Sequence, residues 1–287
     1  MPFENKTLAF IGSGQMAEAM IGGLIRKELV TPARIIAAGP RIERGIQLHD
    51  RYGIHHTTDN EAAVTEADII IVSVKPQFID EILPLSPSGI EHKDLVLSIA
   101  AGITIEHLQE RFGNPNIIRA MPNTPAKIGQ GITVWTATST VGERQREQGQ
   151  TILTALGKEL YVDKEDYLDM ATALSGTGPA YVFMFLEAMI DAGVHMGFSR
   201  RVARELVLQT TLGSVEYARN SEEHIAALRN QVTSPGGTSA EALYQMEKGG
   251  FRTVISKAIW AAYQRSVALG SGKKVSQNVG GGDNNGG

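Results

Sequence analysis

Cysteine is absent from the 287 residues, which removes disulfides, thiolate nucleophiles, zinc ribbons and iron–sulfur clusters together. None of the seven histidines forms a pair with HExxH spacing, so no metal is expected. A basic excess is missing too. The 27 Lys and Arg stand against 31 Asp and Glu for a net charge of -4, no basic stripe is available to neutralise phosphates, and no nucleic acid partner is expected. The opening Met1-Pro2-Phe3-Glu4-Asn5-Lys6 has neither the basic flank nor the apolar run of a signal peptide. The longest uncharged run, Met170 to Leu186, is broken by Ser175-Gly176-Thr177-Gly178-Pro179, which suits a buried helix entrance better than a membrane span. A cytoplasmic protein without a membrane partner is expected.

What is present is enough apolar sequence, 42%, to bury a core, in a chain long enough for two domains. The first half alternates β-branched runs with amphipathic segments, as βαβ units require. Strands are expected at Thr7–Ile11, Ile35–Ala38, Ile69–Val74, Leu95–Ile99, Asn116–Ala120 and Ile132–Trp135, with helices over Met16–Lys27 and Ile42–Arg51. Ile69-Ile70-Ile71-Val72 does not alternate, so it belongs inside a parallel sheet covered on both faces. After Lys164 strand signals stop and helical periodicity takes over. The expected organisation is an α/β Rossmann-type dinucleotide-binding domain over 1–163, an all-α dimerisation domain over 164–270, and a disordered Gly/Asn-rich tail over 271–287. Tyr181-Val182-Phe183-Met184-Phe185-Leu186 is apolar on every side of a helix, which favours a homodimer or larger homo-oligomer over a monomer core, with Phe183, Phe185 or Met189 near the contact.

Gly12-Ser13-Gly14-Gln15-Met16-Ala17 directly follows the first strand and opens the first helix. Gly12 permits the tight turn, Gly14 lets backbone approach a pyrophosphate, and Ala17 lets helix and strand pack closely, while the helix N-terminus offers free N–H donors. A dinucleotide cofactor follows. The tip of the second strand, Ala38-Gly39-Pro40-Arg41-Ile42-Glu43-Arg44, offers no carboxylate for the adenosine ribose. Arg41 and Arg44 could instead pair with a 2′-phosphate, the alternative being that they decorate a solvated helix start. NADPH is favoured and NADH remains possible. Val74-Lys75-Pro76-Gln77 and Met121-Pro122-Asn123-Thr124-Pro125 leave their strands at the carboxyl edge of the sheet, where ligands bind. Pro76 should open a helix, and the second loop is stiff enough to wall a nicotinamide pocket.

In the helical half, Thr233-Ser234-Pro235-Gly236-Gly237-Thr238-Ser239-Ala240-Glu241 carries a capping-box pattern from Thr238 to Glu241. The same helix start suits a carboxylate, with a hydroxyl left to reach a reacting atom. Ser175-Gly176-Thr177-Gly178-Pro179 resembles the glycine-rich motif of hydroxyacid dehydrogenases, but Val182 occupies the slot of their catalytic lysine. Oxidation of an alcohol needs a base there, so reduction of an electrophile such as an imine fits better.

Taken with Leu174-Ser175-Gly176-Thr177-Gly178-Pro179-Ala180-Tyr181 and Val232-Thr233-Ser234-Pro235-Gly236-Gly237, these motifs, in this order, resemble the pyrroline-5-carboxylate reductase family over nearly the whole chain. The resemblance implies reduction of 1-pyrroline-5-carboxylate to L-proline with NAD(P)H, the last step of proline biosynthesis, by a chain whose helical domain interlocks with a second subunit. It also implies that Ala38, Pro40, Asn60, Lys75, Pro76, Ala101 and Gly102 line the cofactor site, and that Glu165 with the hydroxyl pair faces the substrate. Where the family has Gly-Gly-any-Thr, this chain has Gly236-Gly237-Thr238-Ser239, so either Thr238 or Ser239 serves the substrate nitrogen. The rival readings are a reductase of another cyclic imine or small carbonyl compound, and a regulatory NADP-binding protein without turnover.

Overall fold

A computed structural model describes residues 3–82, 90 and 92–270; the expected tail over 271–287 lies outside the described residues. The chain divides into two compact units, one running to Thr177 and resuming at Ala262, the other Gly178–Ala261.

The first unit is built on a sheet whose described strands are β1 (Leu8–Ile11), β2 (Ile35–Ala38), β3 (His55–Thr57), β4 (Ile69–Val72), β5 (Leu95–Ser98), β6 (Ile117–Met121), β7 (Gly131–Ala137) and β8 (Gly157–Tyr161). Their order is β3-β2-β1-β4-β5-β6-β7-β8. β1 to β6 run parallel, β7 is antiparallel to β6, and β8 is parallel to β7. The strand order reverses between β1 and β4, which opens a crevice at their carboxyl ends.

Alternate residues of the strands feed two cores, one on each face. Leu8, Phe10, Ile69, Ile71, Leu95 and Leu97 pack with Met20, Ile21 and Leu24 of α1 (Gln15–Arg26). Ala9, Ile11, Ile70, Val72 and Val96 pack instead with Ala63 and Val64 of α3 (Asn60–Glu66) and with Leu108 and Phe112 of α4 (Ile105–Phe112). The non-alternating Ile69–Val72 run is thus buried on both sides. α2 (Ile42–Tyr52) ends at Gly53 with φ 71, a left-handed stop that suits glycine. α5 (Glu143–Thr154) completes the first layer through Ile152 and Leu153.

This unit runs past residue 163, the boundary expected from the fading of strand signals. The reason is α6 (Asp166–Ala171), whose Leu168 and Ala171 pack on Val134 and Val162. A π-turn, Thr172–Gly176, follows it.

The second unit holds α7 (Gly178–His195), α8 (Arg200–Arg219), α9 (Ile225–Gln231), α10 (Thr238–Lys248) and the start of α11 (Phe251–Gly270). α7 and α8 approach closely because Gly193 faces Ala203, where an added Cβ would stand 3.0 Å from the alanine methyl. Among its described hydrophobic residues, only Ala203, Val207 and Leu228 are buried. Phe183 is 62% exposed and Met184 74%, and Val182 and Phe185 are exposed beside them, so this apolar stretch of α7 is left uncovered among the described residues. The helical run Asp166–His195 is long and apolar enough to cross a membrane by length and composition alone. It carries Asp166, Asp169, Glu187 and Asp191 and is interrupted by the π-turn.

Candidate active site

The turn after β1 is built around Gly12, whose φ of 103 only glycine adopts without strain. A Cβ there would lie 2.8 Å from Val74 and 2.9 Å from the Ser73 carbonyl group. The turn is pinned on both sides: Gly12 N donates to Ala38 O at 2.9 Å, and Ser73 Oγ donates to Gly12 O at 2.7 Å. Gly14 is the N-cap of α1 and no side chain caps that helix. Its open backbone N–H groups therefore carry the positive end of the helix dipole. A Cβ at Gly14 would meet nothing within 4 Å, so the backbone faces open space.

That space is a cleft of about 460 Å³ lined by Gly14, Gln15, Met16, Ser73, Val74 and Lys75 on one side and by Ile99, Met121, Pro122, Asn123, Thr124 and Gly176 on the other. The expected cofactor residues Gly14, Gln15, Met16, Val74 and Lys75 thus converge. Ser13 is buried behind the turn, as are Ala17 and Ala38, which serve the packing and the turn's hydrogen bond. Pro76 opens a short helix as expected, a single 3₁₀ turn over Pro76–Phe78, with Lys75 at its start. Asn60 opens α3 beside the capping Asp59. Ala101 and Gly102 lie beyond the lining residue Ile99, and Gly102 is covered by Leu269 and Gly270. Ser73 and Ile99 escape sequence reasoning. Their only signal is position, immediately after β4 and β5.

Asn123 knits the far wall. Its Oδ1 accepts from Ile132 N at 3.0 Å and its Nδ2 donates to Ser175 O at 3.2 Å, so the stiff Pro-Asn-Thr-Pro loop is tied to the π-turn that delivers Gly176. π-turns inside helices recur at functional sites.

At the tip of β2, Pro40 is exposed and Arg41 is the N-cap of α2 with no partner for its guanidinium among the described residues. Arg44 is different. It was expected beside Arg41 on a 2′-phosphate, but its Nε donates to Ser13 O at 3.0 Å and its Nη2 is paired with Glu18. Glu18 also takes Arg51 at 2.8 Å and Tyr52 at 3.3 Å. Burial alone would push the Glu18 carboxyl up, yet Arg44, Tyr52 and Arg51 together hold it below the ordinary range.

Glu165, expected at the substrate, holds two donors of its own unit through one oxygen. Its Oε1 accepts from Arg119 Nη1 at 2.6 Å and from Ile105 N at 2.8 Å. Arg119 is only 3% exposed and lies 3.6 Å from Asp169, which in turn accepts from Ser266 Oγ at 2.6 Å. A buried cation needs such partners, and Glu165 is the nearest.

In the second unit the expected capping box does not form. Gly237, not Thr238, is the N-cap of α10, and no side chain caps it. Gly236 has φ 69, which suits glycine, and a Cβ on Gly237 would force the Ser234 hydroxyl to turn away. Thr238 and Ser239 become the first two helical residues, with backbone N–H groups and hydroxyls that have no partner among the described residues.

A family profile described as pyrroline-5-carboxylate reductase dimerisation matches residues 165–269, and one described as NADP oxidoreductase coenzyme F420-dependent matches 7–102. The pyrroline-5-carboxylate reductase of a Synechocystis strain is 40% identical over 263 residues, covering 92% of this chain and 98% of that protein. That of Escherichia coli is 37% identical over 265 residues, covering 92% and 98%. The crystal structure of the Plasmodium falciparum pyrroline carboxylate reductase with NADP bound superposes with a TM-score of 0.86 at 34% identity, covering 93% of this chain and 99% of that one. The open helix start on a cleft at the strand reversal and these likenesses over almost the full length agree: the chain belongs to the pyrroline-5-carboxylate reductase family.

Proposed function

We propose that the protein reduces 1-pyrroline-5-carboxylate to L-proline with NADPH. The observation that carries this is the uncapped start of α1, opening through Gly14 onto the 460 Å³ cleft, in a chain with full-length relatives of that activity. When bound, the reduced nicotinamide supplies the hydride that the C=N carbon takes up. The protein's own residues bind and orient. The N–H groups of Gly14, Gln15 and Met16 hold the pyrophosphate. Val74, Lys75 and the Met121–Thr124 loop bound the cleft that receives the remainder of the cofactor. Arg41, free at the tip of β2, pairs with the 2′-phosphate.

On α10, the N–H groups of Thr238 and Ser239 suit the substrate carboxylate. A hydroxyl from one of them donates a hydrogen bond to the ring nitrogen as it gains electron density and relays to it a proton that the hydroxyl regains from solvent. Positioning, rather than a strong base, lowers the barrier. Glu165, whose Oε1 holds Arg119, is assigned no proton transfer in this scheme.

The exposed apolar surface of α7 supports a homo-oligomer with Phe183 and Phe185 at the contact, and the composition supports a cytoplasmic site. The test is NADPH consumption with and without 1-pyrroline-5-carboxylate, followed by proline detection. NADPH loss with other cyclic imines but not with this substrate would reassign it. Arg41→Ala should weaken NADPH far more than NADH, and equal losses would remove Arg41 from the cofactor site. Light scattering should show at least a dimer.

A further inference from the structure

Arg44 occupies a place that neither a solvated helix start nor a 2′-phosphate ligand explains. It stands in the first turn of α2, with its side chain only 19% exposed. Its guanidinium spans two elements, donating through Nε to the carbonyl of Ser13 at 3.0 Å and through Nη2 to Glu18 on α1. Ser13 is the central residue of the Gly12-Ser13-Gly14 turn. The peptide joining Ser13 to Gly14 is planar and trans, so its C=O and its N–H point in opposite directions. Anchoring the carbonyl to Arg44 therefore fixes the Gly14 N–H the other way. That N–H has no acceptor among the described residues, and Gly14 lines the cleft.

Glycine on either side of Ser13 leaves this peptide little intrinsic preference, since glycine accepts both signs of φ. Without an anchor the Ser13–Gly14 peptide could rotate and turn its carbonyl toward a bound anion. We propose that Arg44 is a positioning residue that holds the phosphate-binding turn open by bridging the Ser13 carbonyl to Glu18, so that the Gly14 N–H stays aimed into the cleft. The inference rests on the dinucleotide reading of that cleft. Arg44 acts on the part common to NADP and NAD, whereas Arg41 acts on the 2′-phosphate alone. Glu18 locks the guanidinium fork and is itself held by Arg51 and Tyr52.

The experiment is calorimetric titration of the full-length protein with NADP and, separately, with NAD, without substrate. Wild type, Arg44→Met, Arg44→Lys and Arg41→Ala are compared at matched oligomeric state and well below their melting midpoints. Arg44→Met should weaken both dinucleotides by about tenfold, the effect of losing one oriented hydrogen bond to a charged group, and leave their ratio unchanged. Arg44→Lys should not recover, because one ammonium cannot replace a planar fork that serves two acceptors. Arg41→Ala should change the ratio. A selective loss of NADP in Arg44→Met would overturn the inference by making Arg44 a phosphate ligand, as would unchanged affinities or full recovery with lysine. If wild type bound neither dinucleotide, the reading of the cleft itself would fail, a result distinct from any of these.

Discussion

Arg119→Met removes the cation at the centre of a buried ionic cluster in the first unit. Arg119 is 3% exposed, and its partners Glu165 and Asp169 are 29% and 18% exposed. Breaking a fully buried pair by deleting one partner costs about 3–5 kcal/mol, because a charge is left behind without compensation. Here the abandoned carboxylates have some water and one other donor each, Ile105 N for Glu165 and Ser266 Oγ for Asp169. The cost should fall to about 2–3 kcal/mol. At roughly 2–4 °C per kcal/mol for a chain of this size, the melting midpoint should drop by about 5–10 °C. The assay is thermal unfolding by circular dichroism at one fixed protein concentration, since oligomers melt at concentration-dependent temperatures. An unchanged midpoint would refute the reasoning. Glu165→Gln is the companion variant. Its amide oxygen can still accept from Ile105 N and Arg119, so kcat should stay close to wild type. A fall of about 10²-fold would mark the carboxylate as a proton-transfer group and return Glu165 to the substrate.

Three further outcomes are expected. Gly12→Ala imposes a left-handed φ on alanine, about 1–2 kcal/mol, and drives a methyl to within 2.9 Å of Ser73. It should lower the melting midpoint and weaken dinucleotide binding together, and wild-type behaviour in both would contradict the assigned turn. Ser239→Ala or Thr238→Ala, whichever removes the hydroxyl at the substrate nitrogen, should lower kcat by about 10²-fold. Because neither hydroxyl caps α10, neither change should shift the melting midpoint, and a loss of stability without a loss of rate would count against the proposed chemistry. The Glu18 carboxyl titrates below its ordinary value in the folded protein, so its stabilising contribution is complete above the unfolded value of about 4.3 and is lost as the pH falls through the folded one. Urea midpoints measured across that acid range should be flatter in Glu18→Gln; an identical acid slope would remove Glu18 from the account.

The strands β1, β2, β4 and β5 were legible because burial on both faces demands apolar runs, and Ile69–Val72 admits little else. β3 and β8 were not. His55–Thr57 is three residues long at one sheet edge, and Gly157–Tyr161, at the other, turns Lys158 to one face and Glu159 to the opposite one, so neither had an apolar signature to read. The Gly12–Ala17 turn, the cleft-edge loops and the helical second half were fixed by local chemistry: a left-handed glycine, paired prolines, a change of period. The partners of long side chains were decided elsewhere. Arg44 and Glu165 look in sequence like surface charges near a site, and only the packing of α2 on α1 and of α6 on β6 turns them into struts for Ser13 and Arg119. The cap of α10 moved for the same reason. A capping box is written in residue types, but the Ser234–Gly237 turn sets where the helix begins, and by beginning at Thr238 it leaves both hydroxyls uncommitted. Backbone form follows from neighbours in the chain; the commitment of a charged or polar tip depends on what the fold brings within about 3 Å of it.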